Sequence, residues 1–150
     1  MGLKRHPALQ PFSRDHLIGL FHAQRLIKLN NESEHQTVSE TINAFADAWQ
    51  REISVHFADE DRLLAPLPIS AKSRERLHNE HVDLTSAIEH LLQNQLSIFA
   101  NEVGALLDAH IRWEEHELFP EIESTLPDNA LADLGKETEL VEKSRHRKLL

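Results

Sequence analysis

The sequence predicts an all-α fold, an up-down-up-down four-helix bundle with a short additional C-terminal helix. Apolar residues recur at helical spacing along most of the chain, and no segment alternates between apolar and polar residues as a strand would. Four long periodic segments are joined by short connections, which favours antiparallel neighbours. A chain of 150 residues can bury its own core, so we expect a single domain over 1–150 with its bundle core at about 13–125.

The first predicted helix covers about 14–30, with Ser13 as its N-cap and Asn30 near its end. A polar loop separates it from the second helix, which covers about 37–65. The second helix stops before Pro66, because proline lacks an amide hydrogen and clashes with the preceding turn. The inward stripe of this helix is Ile42, Phe45, Trp49, Ile53 and Phe57.

The third predicted helix begins near Ser70 or Ser73 and runs to a weakly marked break at about 94–97. The fourth continues to a stop or kink at Pro120, and a shorter amphipathic helix follows over about 129–147. The inward stripe of the third helix is Leu77, Leu84, Ile88 and Leu91. That of the fourth is Val103, Leu106, Leu107, Ile111 and Leu118.

The composition excludes several classes of protein. The chain has no cysteine, which rules out disulfides, thiolate zinc sites, iron–sulfur clusters and cysteine nucleophiles. Its formal net charge of −9 argues against general nucleic-acid binding and against binding to an anionic membrane surface. No segment is apolar enough for a signal peptide or a membrane span, so we expect a soluble, cytoplasmic protein with no nucleic-acid and no membrane partner.

Two segments, HFADEDRLLAP and HIRWEEHELFP, share a histidine, a glutamate four residues later and a closing proline. Eleven histidines and 25 acidic residues produce roughly two such histidine–acid pairs by chance, so the spacing alone proves nothing. The positions carry more information. His56 and Glu60 continue the inward stripe of the second helix, and His110 and Glu114 continue that of the fourth. A buried carboxylate needs a compensating partner, and residues four apart on a helix can reach one ion.

The other two long helices each add one inward histidine, His16 in the first and His81 in the third. His81 and His110 lie about equally far from the turn between their helices, and His16 and His56 nearly so. The four histidines should therefore meet at a common depth in the bundle. Imidazole and carboxylate donors without any thiolate suit iron, manganese or zinc, so the pattern predicts a metal site.

The remaining polar candidates are interpreted as ordinary core or surface residues. His78 is ambiguous, because it lies one turn before His81, and we assign it to the surface. We expect Asp61 and Glu115 to face outward. The other histidines with this interpretation are His22, His35, His90, His116 and His146.

Four segments in this order resemble the hemerythrin-like, or HHE cation-binding, domain family: SRDHLIGL, HFADED, NEHVDL and HIRWEEHELFP. The resemblance covers about 4–125. It implies a four-helix bundle that encloses two iron ions joined by an oxo or hydroxo bridge, with manganese or zinc as possible replacements. It also implies small-molecule partners such as oxygen, peroxide or nitric oxide.

The resemblance further implies a role for each candidate. His16 and His56 would bind one iron, His81 and His110 the other, and Glu60 and Glu114 would bridge both. Oxygen-carrying members have a second histidine four residues before the one on the third helix, where this chain has Leu77. The iron of the second pair would then have four protein donors, which leaves room for an exchangeable small molecule.

The expected function is that of a non-haem di-iron protein that binds or senses oxygen, peroxide or nitric oxide, or that handles iron. Two alternatives stay open. One is a di-iron enzyme that consumes peroxide or nitric oxide, although the sequence identifies no catalytic residue and favours a binding protein. The other is a helical interaction module whose metal is structural or absent.

Overall fold

Helices account for all the regular secondary structure in residues 4–147, the part of the chain that the computed structural model describes. The all-α prediction is confirmed for these residues. The outermost residues of the predicted domain, 1–3 and 148–150, lie outside the described part.

Five helices follow one another along the described residues. Helix α1 is Gln10–Ile27, α3 is Ala71–Asn94 and α5 is Asp128–Ser144. Helix α2 consists of the α-helix His35–Ala48, the π-helix Trp49–Ile53 and the α-helix Ser54–Leu63. Helix α4 has the same build, with the α-helix Ser97–Trp113, the π-helix Glu114–Leu118 and the α-helix Phe119–Thr125. Both α2 and α4 therefore contain one π-helical turn.

Of the two predicted N-caps, the one for α3 is confirmed and the one for α1 is wrong. Ser70 caps α3 as predicted, because its hydroxyl accepts a hydrogen bond from the amide of Ser73 at 3.1 Å. The predicted Ser13 cap is wrong, because α1 begins before it with Pro11 in the first turn. Proline has a helical φ and needs no amide partner in a first turn, which explains the early start. The Ser13 hydroxyl instead donates to Glu115 at 2.8 Å.

Pro120 does not stop α4, which continues to Thr125. Inside an α-helix the proline ring clashes with the carbonyl of the preceding turn. The π-helical turn Glu114–Leu118 directly precedes this proline, which therefore lies in the first turn of a new α-helical segment. Its missing amide hydrogen is not needed there. Helix α2, in contrast, ends before its proline as predicted.

Most residues of the predicted inward stripes are buried, and they belong to two apolar clusters. Leu106 is an exception. Its side chain is 40% exposed, whereas that of the neighbouring Leu107 is fully buried. Adjacent residues on an α-helix point about 100° apart, so only one of this pair can face the core.

The helices contact one another in a closed order. Helix α4 packs against α1 and α3, and α2 packs against the same two helices. Helix α5 lies against α1 and α2. Within residues 4–147, no helix is both long enough and apolar enough to cross a membrane.

Helices α1 and α4 approach closely at Gly104, which gives a test of the packing. A Cβ atom there would lie 2.7 Å from the carbonyl oxygen of Ala23 and 2.8 Å from Cγ1 of Ile27. The backbone of α1 cannot easily move away, so we expect Gly104→Ala to lower the free energy of unfolding by about 1–3 kcal/mol. Urea denaturation measures the change.

Gly135→Ala is the matched control for this substitution. A Cβ atom at Gly135 would lie 3.7 Å from that of Ala8, an ordinary contact distance. Alanine favours a helix over glycine, so we expect this variant to be unchanged or more stable by up to about 1 kcal/mol. Equal destabilisation of the two variants would contradict the close approach of α1 and α4.

Candidate metal centre

The structure brings together all six side chains that the sequence analysis proposes as ligands. They are His16 from α1, His56 and Glu60 from α2, His81 from α3, and His110 and Glu114 from α4. All six are buried, and the two glutamates have no exposed surface. Their proximity is an observation, and their binding of metal stays a prediction.

Two groups of four donors share the two glutamates. His16 and His56 form the first group with both glutamates, and we call it position I. His81 and His110 form the second group with the same glutamates, and we call it position II. In each group, one ligand atom from every residue lies within 4.8 Å of the others. Each group could therefore surround one ion.

The inner nitrogen, Nε2, of each histidine faces a glutamate. The four Nε2-to-carboxylate distances are 2.9 Å for His16–Glu114, 3.1 Å for His56–Glu60, 3.2 Å for His81–Glu60 and 3.4 Å for His110–Glu114. Each glutamate thus lies next to one histidine of position I and one of position II, as a bridging ligand must.

The outer nitrogen, Nδ1, of each histidine lies next to a carboxylate from another helix. The four distances are 2.8 Å for Asp15–His56, 2.8 Å for Asp61–His81, 2.7 Å for Glu80–His110 and 2.6 Å for Glu115–His16. The order is cyclic, because the acid on α1 holds the histidine on α2, and so on around to α4 and back to α1. An ionised carboxylate can only accept, so Nδ1 carries a proton and Nε2 is directed inward. Metal-binding histidines are commonly oriented in this way.

The sequence indicates these outer carboxylates only in part. Asp61 is half exposed, as expected, but it also contacts the candidate ligand His81. The prediction that Glu115 faces outward is wrong, because its side chain is only 26% exposed and contacts His16. Asp15 and Glu80 were not singled out at all. Each of the four acids directly precedes or follows a candidate ligand on its own helix, and this adjacency is the available sequence signal. Its partner lies on a different helix, which periodicity along one helix does not reveal.

Carboxylates control the protonation of the buried imidazoles. Burial by itself lowers the pKa of His16 and His81, because it disfavours the charged form. Hydrogen bonds to the inner and outer carboxylates outweigh burial and raise both pKa values to about 9. For Glu60, burial raises the pKa, but the charge of His56 and the hydrogen bond with His81 outweigh it and hold the pKa well below its usual range. Without metal, protons therefore supply the positive charge beside the glutamates.

Four buried atoms at the centre make no hydrogen bond: Nε2 of His56 and of His110, and Oε2 of Glu60 and of Glu114. Nε2 of His56 and Oε2 of Glu60 are 3.1 Å apart, but their orientation does not form a hydrogen bond. In residues 4–147, the only other such side-chain atom is Nε of Arg5. A buried polar atom without a partner lowers the stability of the fold. Four such atoms at one place therefore favour a shared partner that both nitrogen and oxygen atoms can bind. A metal ion fits this donor set.

Aromatic rings enclose the imidazoles. Phe57 stacks on His81 with ring centroids 4.1 Å apart, and Phe119 stacks on His16 with centroids 5.5 Å apart. These contacts hold the imidazole planes and cover them with apolar surface. An apolar surround of this kind restricts water at a metal site.

The remaining candidate histidines lie outside the centre. His22 is buried beside the ring of Phe45, and burial, followed by the charge of Arg25, lowers its pKa. His78 is exposed, as predicted, and lines a surface groove of about 390 Å³ together with His81. Four further histidines are exposed, which agrees with their interpretation as ordinary core or surface residues: His35, His90, His116 and His146.

A small cavity adjoins position I. Its volume of about 10 Å³ is room for about one water-sized molecule. Its walls include the two histidines of position I and the apolar residues Ile18, Gly19, Ile53, Leu107 and Ile111. The sequence analysis expects an exchangeable small molecule at the His81/His110 iron, whereas this cavity lies beside the other pair.

Comparisons of the chain with models of known families, with curated proteins and with solved structures found no match. The function must therefore be inferred from the centre itself. The two groups of buried donors could hold metal ions.

The pKa values of His16 and His81 generate a prediction for stability. In the metal-free protein both lie at about 9, above the ordinary value of 6.5. A raised folded-state pKa stabilises the fold fully below the unfolded pKa, and this contribution is lost as pH rises through the folded pKa. We therefore expect the free energy of unfolding of metal-free protein to fall between about pH 6.5 and about pH 9.

For metal-loaded protein, we expect the free energy of unfolding to rise over the same pH interval. A metal ion needs neutral imidazoles, so protons compete less with it as pH rises. Urea denaturation of metal-free and Zn²⁺-loaded protein across this range provides the comparison. Parallel pH profiles for the two forms would contradict the assignment of these histidines as ligands.

Proposed function

We propose that the chain is a hemerythrin-like protein that holds two iron ions and binds or senses a small molecule such as oxygen, peroxide or nitric oxide, or handles iron. The observation that carries the proposal is the convergence of four Nε2 atoms on two shared, fully buried glutamates. The unpaired atoms at the same place support it, because a metal ion is the partner that both donor types accept.

The proposed ligand roles follow the two positions. His16 and His56 bind the ion at position I, the histidines of position II bind the other, and Glu60 and Glu114 bridge both. Each ion then has four protein donors, so an octahedral ion keeps open positions. Manganese and zinc accept the same donors, and the absence of thiolates disfavours only softer metals.

The packing order of the helices supports the bundle that this family implies. Helices α1, α2, α3 and α4 each contact two of the others in a closed order. Short connections between consecutive helices favour antiparallel neighbours, and so an up-down-up-down four-helix bundle. Helix α5 is then the additional C-terminal helix, packed on α1 and α2.

Iron at the two positions would supply a redox-active Lewis acid able to bind a small molecule. The protein residues supply orientation and exclusion of water. The outer carboxylates keep a proton on each Nδ1, so every Nε2 is available as a ligand. Stacking of Phe57 and Phe119 on two of the imidazoles limits their rotation. The small cavity beside position I offers room of about the size of one water molecule, which part of a small ligand on the ion could occupy.

Metal content tests the proposal. We expect protein loaded anaerobically with Fe²⁺ to bind one ion at each of the two positions. Glu60→Ala and Glu114→Ala should each reduce binding at both positions, because each glutamate belongs to both groups. His16→Ala should reduce it only at position I. Mass spectrometry of the metal against protein concentration gives the ratio.

Glu117→Ala is the control for these variants, because Glu117 is an exposed acid on the same helix as Glu114. It should retain both ions. Equal losses in the glutamate and histidine variants would contradict the bridging roles. Wild-type protein that binds no iron would contradict the whole proposal and would favour a helical interaction module.

A second prediction concerns the cavity. A Cβ atom at Gly19 would lie 2.7 Å from Cδ1 of Ile111, another residue of the cavity wall. The added methyl group, or the displaced isoleucine, should occupy part of the cavity. We expect Gly19→Ala to keep its iron and to bind azide about 10-fold or more weakly, as extra volume in a small apolar pocket does.

Titration of the iron charge-transfer absorption with azide measures this affinity. Gly135→Ala, far from the cavity wall, is the control and should bind azide as the wild type does. Unchanged azide affinity in Gly19→Ala would show that small molecules bind elsewhere.

A further inference from the structure

The outer carboxylate Asp15, which holds His56 of position I, is enclosed by two arginines from the segment after α5. Arg145 donates to its carboxylate from Nε at 3.1 and 3.2 Å and from Nη2 at 2.9 Å. Arg147 donates from Nε at 3.0 Å. The side chains of Asp15 and Arg145 are 8% and 7% exposed. Water therefore has little access to this ion pair.

The two arginines are themselves fixed to other parts of the chain. Arg145 also forms an ion pair with Asp59 of α2 at 2.8 Å. Arg147 forms an ion pair with Glu142 of α5 at 2.8 Å and donates to the carbonyl of Pro11 at 3.0 Å. This arginine clamp, Arg145 and Arg147, thus connects α1, α2 and α5 around the Asp15–His56 pair.

The second outer carboxylate of position I is also held by an arginine. Glu115 forms an ion pair with Arg5 at 3.2 Å, and it accepts a hydrogen bond from Ser13 at 2.8 Å. The Arg5 side chain is 6% exposed and also forms an ion pair with Glu123 at 2.9 Å. Both outer carboxylates of position I are therefore compensated by buried arginines.

In residues 4–147, neither outer carboxylate of position II pairs with a buried arginine, although Glu80 itself is only 27% exposed. The Asp61 side chain is 51% exposed, and in residues 4–147 its only ion-pair partner is His81. Glu80 pairs at 2.7 Å with Arg76, whose side chain is 44% exposed. Water can replace these contacts at little cost, because exposed ion pairs contribute weakly.

The routes to the two positions also differ. Asp61 and His81 line the surface groove of about 390 Å³, which also contains His78 and Glu89. Position I adjoins the small cavity of about 10 Å³, which cannot contain an ion with its hydration shell. A ligand of position II thus borders an open groove, whereas the two histidines of position I border a cavity with room for about one water molecule.

We propose that Arg145 and Arg147 are positioning residues that lock position I, so that ions exchange rapidly at position II and slowly at position I. For an ion to leave position I, His56 must rotate and break its hydrogen bond with Asp15. The arginine clamp immobilises Asp15, and the buried ion pair opposes the rotation. This inference rests on the proposed function, because it requires two bound ions.

Release of Co²⁺ to excess EDTA tests this inference, with the visible absorption of bound Co²⁺ as the readout. Wild-type protein loaded with two Co²⁺ ions should lose them in two phases of equal amplitude. Arg145→Gln/Arg147→Gln should accelerate the slow phase about 10- to 100-fold, as loss of a ligand-orienting partner does, and leave the fast phase unchanged. A merely structural role would accelerate both phases together.

Arg51→Gln/Arg112→Gln is the matched control. It removes the same charge and two exposed arginine–aspartate pairs, with Asp47 and Asp108, and should leave both phases unchanged. His81→Ala should lose its single ion in the slow phase, which assigns that phase to position I. Should the double clamp variant not fold, Arg147→Gln alone keeps the Arg145 contacts and should still accelerate the slow phase.

Two results would overturn the inference: a single phase for two bound ions, or equal acceleration of both phases in the clamp variants. Failure of the proposed function is distinct from these. It would appear earlier, as fewer than two Co²⁺ ions bound at saturation, before any release is measured.

Discussion

The burial of Glu60 and Glu114 side by side is the constraint on which the rest of the structure depends. Neither carboxylate has exposed surface, and a buried carboxylate without compensation is strongly unfavourable. In the metal-free chain protonated imidazoles compensate them, which is why the pKa values of His16 and His81 are raised. Cations bound by the same six side chains would replace protons as the source of positive charge. Protons in the metal-free fold, and metal ions if they bind, would thus meet the same need for positive charge beside the two glutamates.

Charge alternates outward from the two glutamates, through imidazoles to the outer carboxylates. At position I a further layer of buried arginines follows, supplied by Arg5 before α1 and by the clamp after α5. At position II the corresponding arginine is the exposed Arg76, and the Asp61 side chain is 51% exposed. The inner donors of the two positions are alike, and the difference between them arises from segments outside α1 to α4. These segments therefore have a role in the site although they contribute no ligand.

The fold could largely be predicted from the sequence, because helical periodicity and proline are local signals. The six candidate ligands could be found for the same reason, since a polar residue on an apolar stripe is visible along one helix. Asp15 and Glu80 could not, because each holds a histidine on the next helix. The passage of α4 through Pro120 depends on a π-helical turn, for which the sequence has no comparable signal.

The cyclic order of the outer carboxylates makes the centre depend on all four helices at once. Each helix contributes an inward ligand and, at the adjacent residue, an acid that orients the histidine of the next helix. A shift of any one helix therefore moves a candidate ligand. It also moves the acid that keeps the proton on Nδ1 of the next helix's histidine. In a centre built from two separate pairs of ligands, a shift of one helix would not affect the histidines of the other pair. The arrangement of donors that could hold two ions thus exists only when α1 to α4 are packed together, which would couple metal binding to the folded state more tightly than ligand count alone implies.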